Sequence, residues 1–167
     1  MIREEKINYK KIAYSLLYLL LIVIVLNVFT MMYNVIKVKD ASVTDINRNL
    51  KKTPYISRMT KGDSRTLRRL YGINKDEAEK FLLYAPKSNM DADEILVLKT
   101  KSQDDLKVIK EKVQSRIDKQ EKSFMQYRPK EYEIIKKCVL KEEGEYLILI
   151  ISKDSSKIEK TVDDCFA

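Results

Sequence analysis

The most pronounced feature of the hydrophobic pattern is an uncharged apolar run over residues 12–36. A helix needs roughly 20 consecutive apolar residues to cross a hydrocarbon core of about 30 Å, and this run is longer than that. The pattern therefore predicts a single transmembrane helix over residues 12–36, which would place the chain in a membrane lipid bilayer. A short N-terminal tail, residues 1–11, precedes it.

Two kinds of N-terminal segment contain such a run, a cleaved signal peptide and an uncleaved signal-anchor. Basic residues before the run suit both. Residues 27–33, however, offer no pair of small side chains at the spacing that signal peptidase reads, and no cysteine for lipidation. We therefore expect an uncleaved signal-anchor, with the signal peptide as the alternative.

The orientation of this helix does not follow from charge, because Lys and Arg residues lie on both sides of the apolar run. A tail as short as residues 1–11 is simply left behind when the first hydrophobic segment enters the membrane as an anchor. We therefore expect a single-pass protein of the cell membrane with residues 40–167 outside.

The chain that follows is polar up to residue 62, with a few scattered apolar side chains. Val43, Ile46 and Leu50 recur at intervals of three and four, which predicts a short helix over residues 44–52. Because basic residues outnumber acidic ones here, residues 37–62 are interpreted as a basic stalk or linker.

A compact domain is predicted over residues 63–167. Asp63 is a favourable N-cap and Gly72 a favourable helix end, so a helix is expected between them. Two apolar runs, residues 78–84 and 94–100, then predict two strands joined by a loop.

A long amphipathic helix comes next. Ser102 with Asp105 forms an N-terminal helix signature, and the helix should end before Pro129. Its apolar face, at helical spacing, consists of Leu106, Ile109, Val113, Ile117 and Phe124.

The last part of the chain predicts a short helix near residues 130–136, a strand over 138–141, a glycine-containing turn, a strand over 146–151 and a helix over 154–166. The run over residues 146–151 lacks alternation, which suits a strand buried on both faces or covered by helices on one. The order ββαββα predicts an α+β domain with an antiparallel four-stranded sheet covered by two helices.

Charge changes this picture in one respect. The net charge of the chain is +8, but basic and acidic side chains nearly balance over residues 40–167, and the excess lies mainly in residues 40–70. No zinc-finger, RNA-binding or recognition-helix pattern accompanies it, so no nucleic-acid partner is predicted. The basic excess is either a solvated helix face or a segment attracted to anionic headgroups at roughly 1 kcal/mol per residue.

The residue types exclude several kinds of chemistry. The chain has no histidine, which removes histidine-based triads and the usual catalytic zinc sites. The three glycines are too far apart to form a phosphate-binding loop, and no serine lies in a G-x-S-x-G motif. Nucleotide-dependent and classical hydrolase functions are not expected, and no cofactor is predicted.

Three carboxylates, Asp91, Asp93 and Glu94, directly precede the strand predicted over residues 94–100. They lack the spacing and the glycine of a calcium-binding loop, and Asn89 and Asp91 are residue types that build turns. A turn that starts the strand is the favoured interpretation. A partner-binding surface and a metal or catalytic site remain the alternatives.

Arg116 and Gln120 lie one turn apart, on or beside the apolar face of the long helix. A buried guanidinium requires a carboxylate or carbonyl partner, so these residues are either a structural clamp or part of a ligand site. Cys138 and Cys165 are expected to be two buried free thiols, with a disulfide as the alternative if they lie outside the cell.

Several separate pieces of the chain resemble a bacterial family, the domain of unknown function 4358. They are residues 70–73 (LYGI), residues 84–95 (YAPKSNMDADEI), Arg116 with Gln120, Ser123 with Phe124, Tyr127, Pro129, and residues 144–146 (GEY). The resemblance covers residues 70–160. It implies a membrane-tethered or lipoprotein module outside the membrane of Gram-positive bacteria, and it implies no activity.

These observations predict a membrane-anchored, extracytoplasmic accessory or binding module of the cell envelope. Its partner would be an envelope protein or an anionic envelope polymer, and the candidate surface is Asp91, Asp93, Glu94, Arg116 and Gln120. Two other functions remain open. One is a carboxylate-based enzyme that acts on glycans, and the other is a small bitopic scaffold of a division or sporulation complex.

Overall fold

The structure, a computed structural model, describes residues 9–36 and 41–166. The chain divides into two units at the boundary between residues 38 and 39. The first unit contains one helix, α1 (Tyr9–Ile36). Within it, Ile12–Thr30 has a mean hydropathy of 2.6, so by length and composition it fits a membrane anchor or a signal sequence. Residues 1–8 of the predicted tail, and residues 37–40, lie outside the described residues.

The second unit combines five helices with five strands. The helices are α2 (Val43–Lys51), α3 (Ser64–Tyr71), α4 (Gln103–Phe124), α5 (Pro129–Lys136) and α6 (Ser155–Asp163), with short 3-10 helices at Pro54–Arg58 and Lys75–Glu77. The strands are β1 (Met59–Lys61), β2 (Lys80–Pro86), β3 (Glu94–Lys99), β4 (Val139–Glu143) and β5 (Tyr146–Ile151).

The strands form one antiparallel sheet in the order β1-β2-β3-β5-β4. The α+β class and the antiparallel sheet are confirmed, but the prediction of four strands in the order ββαββα is wrong. Strand β1 adds a fifth strand at the edge beside β2, and α3 lies between β1 and β2 in the chain. This strand has only three residues, and Met59 is its only buried one. A strand this short shows no alternation, so the hydrophobic pattern gave no sign of it.

Helices cover both faces of the sheet. Buried residues of α3, α4 and α5 pack on one face, against Leu96 and Leu98 of β3 among others. Buried residues of α2 and α6 pack on the other face, against Ile95 and Val97. The prediction that two helices cover the sheet is therefore wrong, because five of the described helices pack on it. Because both faces are buried, the run over residues 146–151 is apolar throughout, and all six residues of β5 are buried.

Part of the segment interpreted as a stalk or linker is folded into this second unit. Ser42 caps α2 by accepting a hydrogen bond from the Thr44 amide. Ile46 and Leu50 are fully buried, at 0% exposure, in the apolar cluster beneath α2 and α6. The apolar spacing predicted this helix correctly, but it did not show that the helix packs on a sheet formed by residues far along the chain.

The ends of α3 follow the predicted signals. The Asp63 side chain accepts a hydrogen bond from the Thr66 amide, and Gly72 ends the helix with a φ of 67°, in the left-handed region that glycine adopts without strain. These ends fix the length of the helix that carries Arg69 and Tyr71. Gly144 has a φ of 58° in the turn between β4 and β5.

The two cysteines are free thiols, and both are half-buried. Burial, reinforced by the charge of Glu121, raises the pKa of Cys138 above its usual value. The Cys165 Sγ atom lies 3.3 Å from the Asn49 amide nitrogen, which donates to it and joins α6 to α2. The alternative of a disulfide is not what the structure contains.

We predict that Leu50→Ala destabilises the second unit by about 2–5 kcal/mol, the usual cost of a cavity left by a buried leucine. Lys51→Ala, on the exposed side of the same helix, should change the free energy of unfolding by less than about 0.5 kcal/mol. Chemical unfolding of the full chain in detergent micelles, followed by tyrosine fluorescence, measures both. Equal, small effects would mean that α2 is a linker after all.

Candidate functional site

The acidic stretch begins in the loop between β2 and β3 as a tight turn. The Asp91 amide donates to the Ser88 carbonyl oxygen at 3.2 Å, and the Ser88 hydroxyl donates to the Asp91 carboxylate at 2.8 Å. The Ser88 hydroxyl also accepts a hydrogen bond from the Met90 amide. Asp91 is therefore held in a turn by residues of its own loop, and it stays half-exposed.

Asp93 is buried at 6% exposure and has two partners from distant parts of the chain. The Arg58 guanidinium donates to its carboxylate at 3.0 Å, and the Ser152 hydroxyl donates at 3.0 Å. Arg58 lies just before β1 and Ser152 just after β5. Asp93 thus ties together segments that flank the sheet on both sides of β3.

Glu94, the first residue of β3, is completely buried, and its carboxylate accepts three hydrogen bonds. The donors are the Tyr71 hydroxyl, the Arg116 guanidinium at 3.0 Å and the Gln120 amide at 3.3 Å. Arg116 is only 19% exposed, so the ion pair is largely shielded from solvent. The carboxylate partner that Arg116 was expected to require is therefore Glu94.

The Tyr71 hydroxyl is a donor in this cluster and remains one over the physiological range. Burial raises its pKa well above the usual value, and the neighbouring charge and hydrogen bond of Glu94 act in the same direction. A neutral phenol is what a buried carboxylate needs as a partner, because an ionised one would place two negative charges side by side.

The structure brings together only part of the predicted surface. Glu94, Arg116 and Gln120 form one cluster, whereas Asp93 has different partners and Asp91 belongs to the loop. Among the described residues, no side chain forms hydrogen bonds with both Asp93 and Glu94. Among the described residues, no group of three or more acidic or cysteine side chains is placed to hold a metal ion.

A groove of about 640 Å³ opens next to the Glu94 cluster, between α3, α4 and the loop after β2. Four basic side chains line it: Arg69 from α3, Lys87 from the loop, and Arg116 and Lys119 from α4. Among the described residues that line it, Asp91 is the only one with a carboxylate. A concave surface with this excess of basic groups focuses a positive potential and attracts anions.

The other lining residues give the groove a mixed character. Leu70, Ala85, Pro86 and Phe124 contribute apolar surface, and Ser88, Asn89, Gln120 and Ser123 contribute polar groups. Small-ligand sites combine apolar lining with a few convergent polar groups, and residues of both kinds line this groove.

One row of α4 forms a complete wall of the groove. Arg116, Lys119, Gln120 and Ser123 recur at intervals of three and four, so they lie on one helix face. Two buried atoms in this row have no hydrogen-bond partner among the described residues, Nε of Arg116 and Oε1 of Gln120. Buried polar atoms are nearly always paired in proteins, so each is an open position for a partner.

Sequence reasoning identified two members of this wall, Arg116 and Gln120, but not the groove. Lys119 and Ser123 could also have been predicted from the sequence, since they repeat the helical spacing of Arg116 and Gln120. Arg69 and Lys87 could not have been predicted in this way, because their position near α4 depends on how α3 and the loop after β2 pack against it. Tyr71, Arg58 and Ser152 have no sequence signal as partners of the carboxylates.

The comparison with protein families gives one match. The model of a family described as a domain of unknown function (DUF4358) matches residues 53–152. This span contains all five strands, α3 to α5, and every residue that lines the groove. No curated protein and no solved structure matches the chain.

We predict that Arg116→Met destabilises the protein by about 3 kcal/mol, because it leaves the Glu94 carboxylate buried without its cation. Adding Glu94→Gln should then recover at least about 1 kcal/mol, since an amide has no charge to leave unpaired. A double-mutant cycle of unfolding free energies measures this coupling. Strictly additive effects of the two substitutions would show that the pair is not coupled in this way.

Asp91 and Asp93 should differ in their effect on stability, although both are acidic and only two residues apart. Asp91→Ala should cost at most about 1 kcal/mol, the range of an exposed turn hydrogen bond, whereas Asp93→Ala should cost about 2–3 kcal/mol because it leaves Arg58 and Ser152 without their acceptor. Thermal and chemical unfolding of the two variants test this. Equal costs would contradict the assignment of Asp93 as a structural tie.

Proposed function

Because the chain belongs to the family described as a domain of unknown function (DUF4358), its activity has to be inferred from its own structure, and we propose that it is a membrane-anchored binding module of the bacterial cell envelope. Helix α1 is its single membrane anchor, and the second unit lies outside the membrane. The groove between α3 and α4 is the binding site.

The proposal of a binding module depends on one observation. Two of the carboxylates are buried and paired, whereas the charged side chains that line the groove are mainly basic. Glu94 and Asp93 are buried, and each has an arginine and further donors as partners. The groove beside them is lined by four basic side chains and a single carboxylate, Asp91. Such a surface holds an anion, and it lacks a second carboxylate for acid–base chemistry.

The alternative of a glycan-acting enzyme is less well supported by the geometry of this groove. Such enzymes place two carboxylates on opposite sides of a bound sugar, roughly 5–10 Å apart and both open to it. Here Glu94 is not among the residues that line the groove, and Asp91 is the single acidic side chain that is. A bitopic scaffold would bind a protein rather than an anion, and it remains the second alternative.

Support for the location comes from α1. No residue of the apolar part of the helix, Ile12–Thr30, is buried, as expected for a segment surrounded by lipid rather than protein. The same helix would be absent from the mature protein if it were a cleaved signal.

We predict that protease added to intact protoplasts digests residues 40–167, while the chain recovered from membranes before digestion has its full length. The first result follows from the proposed orientation and the second from an uncleaved anchor. A cytoplasmic protein in the same samples should survive until lysis. Protection of the second unit until lysis would overturn the envelope location, and a shortened chain would overturn the anchor.

A further inference from the structure

The groove has a chemistry that narrows down its ligand. We propose that it binds a polyol phosphate, a phosphate or phosphodiester group attached to a hydroxyl-bearing carbon chain, with Arg69, Lys87, Arg116 and Lys119 around the anion and Gln120 accepting from a hydroxyl. This inference rests on the proposed function, since it specifies the ligand class of the same site.

Two of the four basic groups are available to a ligand. Arg69 and Lys119 are exposed, and neither side chain makes a hydrogen bond or an ion pair with any described residue. They come from different helices, so a ligand between them would touch both walls. Their charges are not neutralised by the protein, unlike the charge of Arg58 at Asp93.

The other two basic groups are held in place. Lys87 donates to the Ser57 carbonyl oxygen at 2.7 Å, which fixes its ammonium group without neutralising it. Arg116 is fixed by Glu94, but its Nε atom has no partner among the described residues. Guanidinium groups offer several donors in a planar fork that matches the oxygens of a phosphate. Of the four cations that line the groove, two are thus held by the protein and two have no partner among the described residues.

The size of the groove indicates more than a bare phosphate ion. Its volume of about 640 Å³ lies within the range of sites for whole small molecules. Leu70, Pro86 and Phe124 supply apolar surface for the carbon atoms of such a ligand. A purely inorganic anion would leave this apolar surface uncovered.

Gln120 indicates a donor on the ligand. The residue is 3% exposed, its amide nitrogen is used by Glu94, and its Oε1 atom is buried without a partner among the described residues. Because Glu94 is an acceptor, this hydrogen bond fixes the amide with its oxygen free. An oxygen acceptor beside several cations fits a ligand in which a hydroxyl lies next to a phosphate, and a polyol phosphate has this arrangement.

The test uses the full chain in nanodiscs of phosphatidylcholine and three probes: inorganic phosphate, soluble poly(glycerol phosphate), and vesicles with phosphatidylglycerol. The variant Arg69→Gln/Lys119→Gln removes the two unpaired cations of the groove. The matched control is Arg68→Gln/Lys122→Gln, which removes two exposed charges from the same two helices outside the groove lining. Binding is measured at one ionic strength for all proteins.

We expect the soluble polymer to bind the wild type more tightly than inorganic phosphate does. The groove variant should weaken polymer binding about tenfold or more, the effect of losing charge-assisted contacts worth roughly 1.4 kcal/mol or more in total. The control should change it less than about twofold. Equal losses in both variants would mean general charge attraction and would overturn the site.

The remaining outcomes test the hydroxyl contact, the source of the ligand and the ligand class. Gln120→Met should weaken binding of the polymer and leave that of inorganic phosphate unchanged, and a parallel loss for both probes would overturn the hydroxyl contact. Binding to phosphatidylglycerol vesicles alone would support a polyol phosphate, because the headgroup of this lipid is one, and would assign it to a lipid rather than to a soluble polymer. No binding of any probe would overturn the ligand class while leaving the envelope location, tested by protease, untouched.

Discussion

Both walls of the groove are attached to one buried carboxylate, that of Glu94. Tyr71 reaches it from α3, and Arg116 and Gln120 reach it from α4. The first residue of the central strand therefore sets the distance between the two helices at this end of the sheet. A carboxylate without exposure to solvent is costly unless its hydrogen-bonding positions are filled. The three donors meet that requirement, and the groove is the space that remains between the helices that supply them.

The same requirement explains why Arg116 has two roles. One part of its guanidinium compensates the buried charge of Glu94, and the Nε atom faces no described partner. A cation held in this way loses little conformational freedom when a ligand binds, because its side chain is already fixed. Arg69 and Lys119, by contrast, are exposed and have no partner among the described residues. Rigid and adaptable contacts are thus combined, and the rigid ones depend on the fold.

How far the sequence allows prediction depends on the range of the interaction. Helix ends at Asp63, Gly72 and Ser102, the helical face of α4 and the fully apolar β5 are local patterns, and the structure contains each of them. Strand β1 was missed because three residues show no period. The fold of α2 on the sheet, and the pairing of Asp93 with Arg58, were missed because they join segments far apart in sequence. Arg116 and Gln120 could be selected because they share a helix face, whereas Arg69 and Lys87 join them only through tertiary packing.

The folded unit extends beyond the span that the family model matches, because helices on both faces of the sheet belong to it. The matched span, residues 53–152, contains the groove and the helices on its side of the sheet, but it leaves out α2 and α6. Those two helices supply Ile46, Leu50, Ile158 and Val162 to the cluster on the opposite face. Without them, one whole apolar face of β2, β3 and β5 would be exposed to water, and a surface of that kind promotes association. The groove is therefore built within the family's span, but the opposite face of the sheet that supports it is covered by segments on either side of that span.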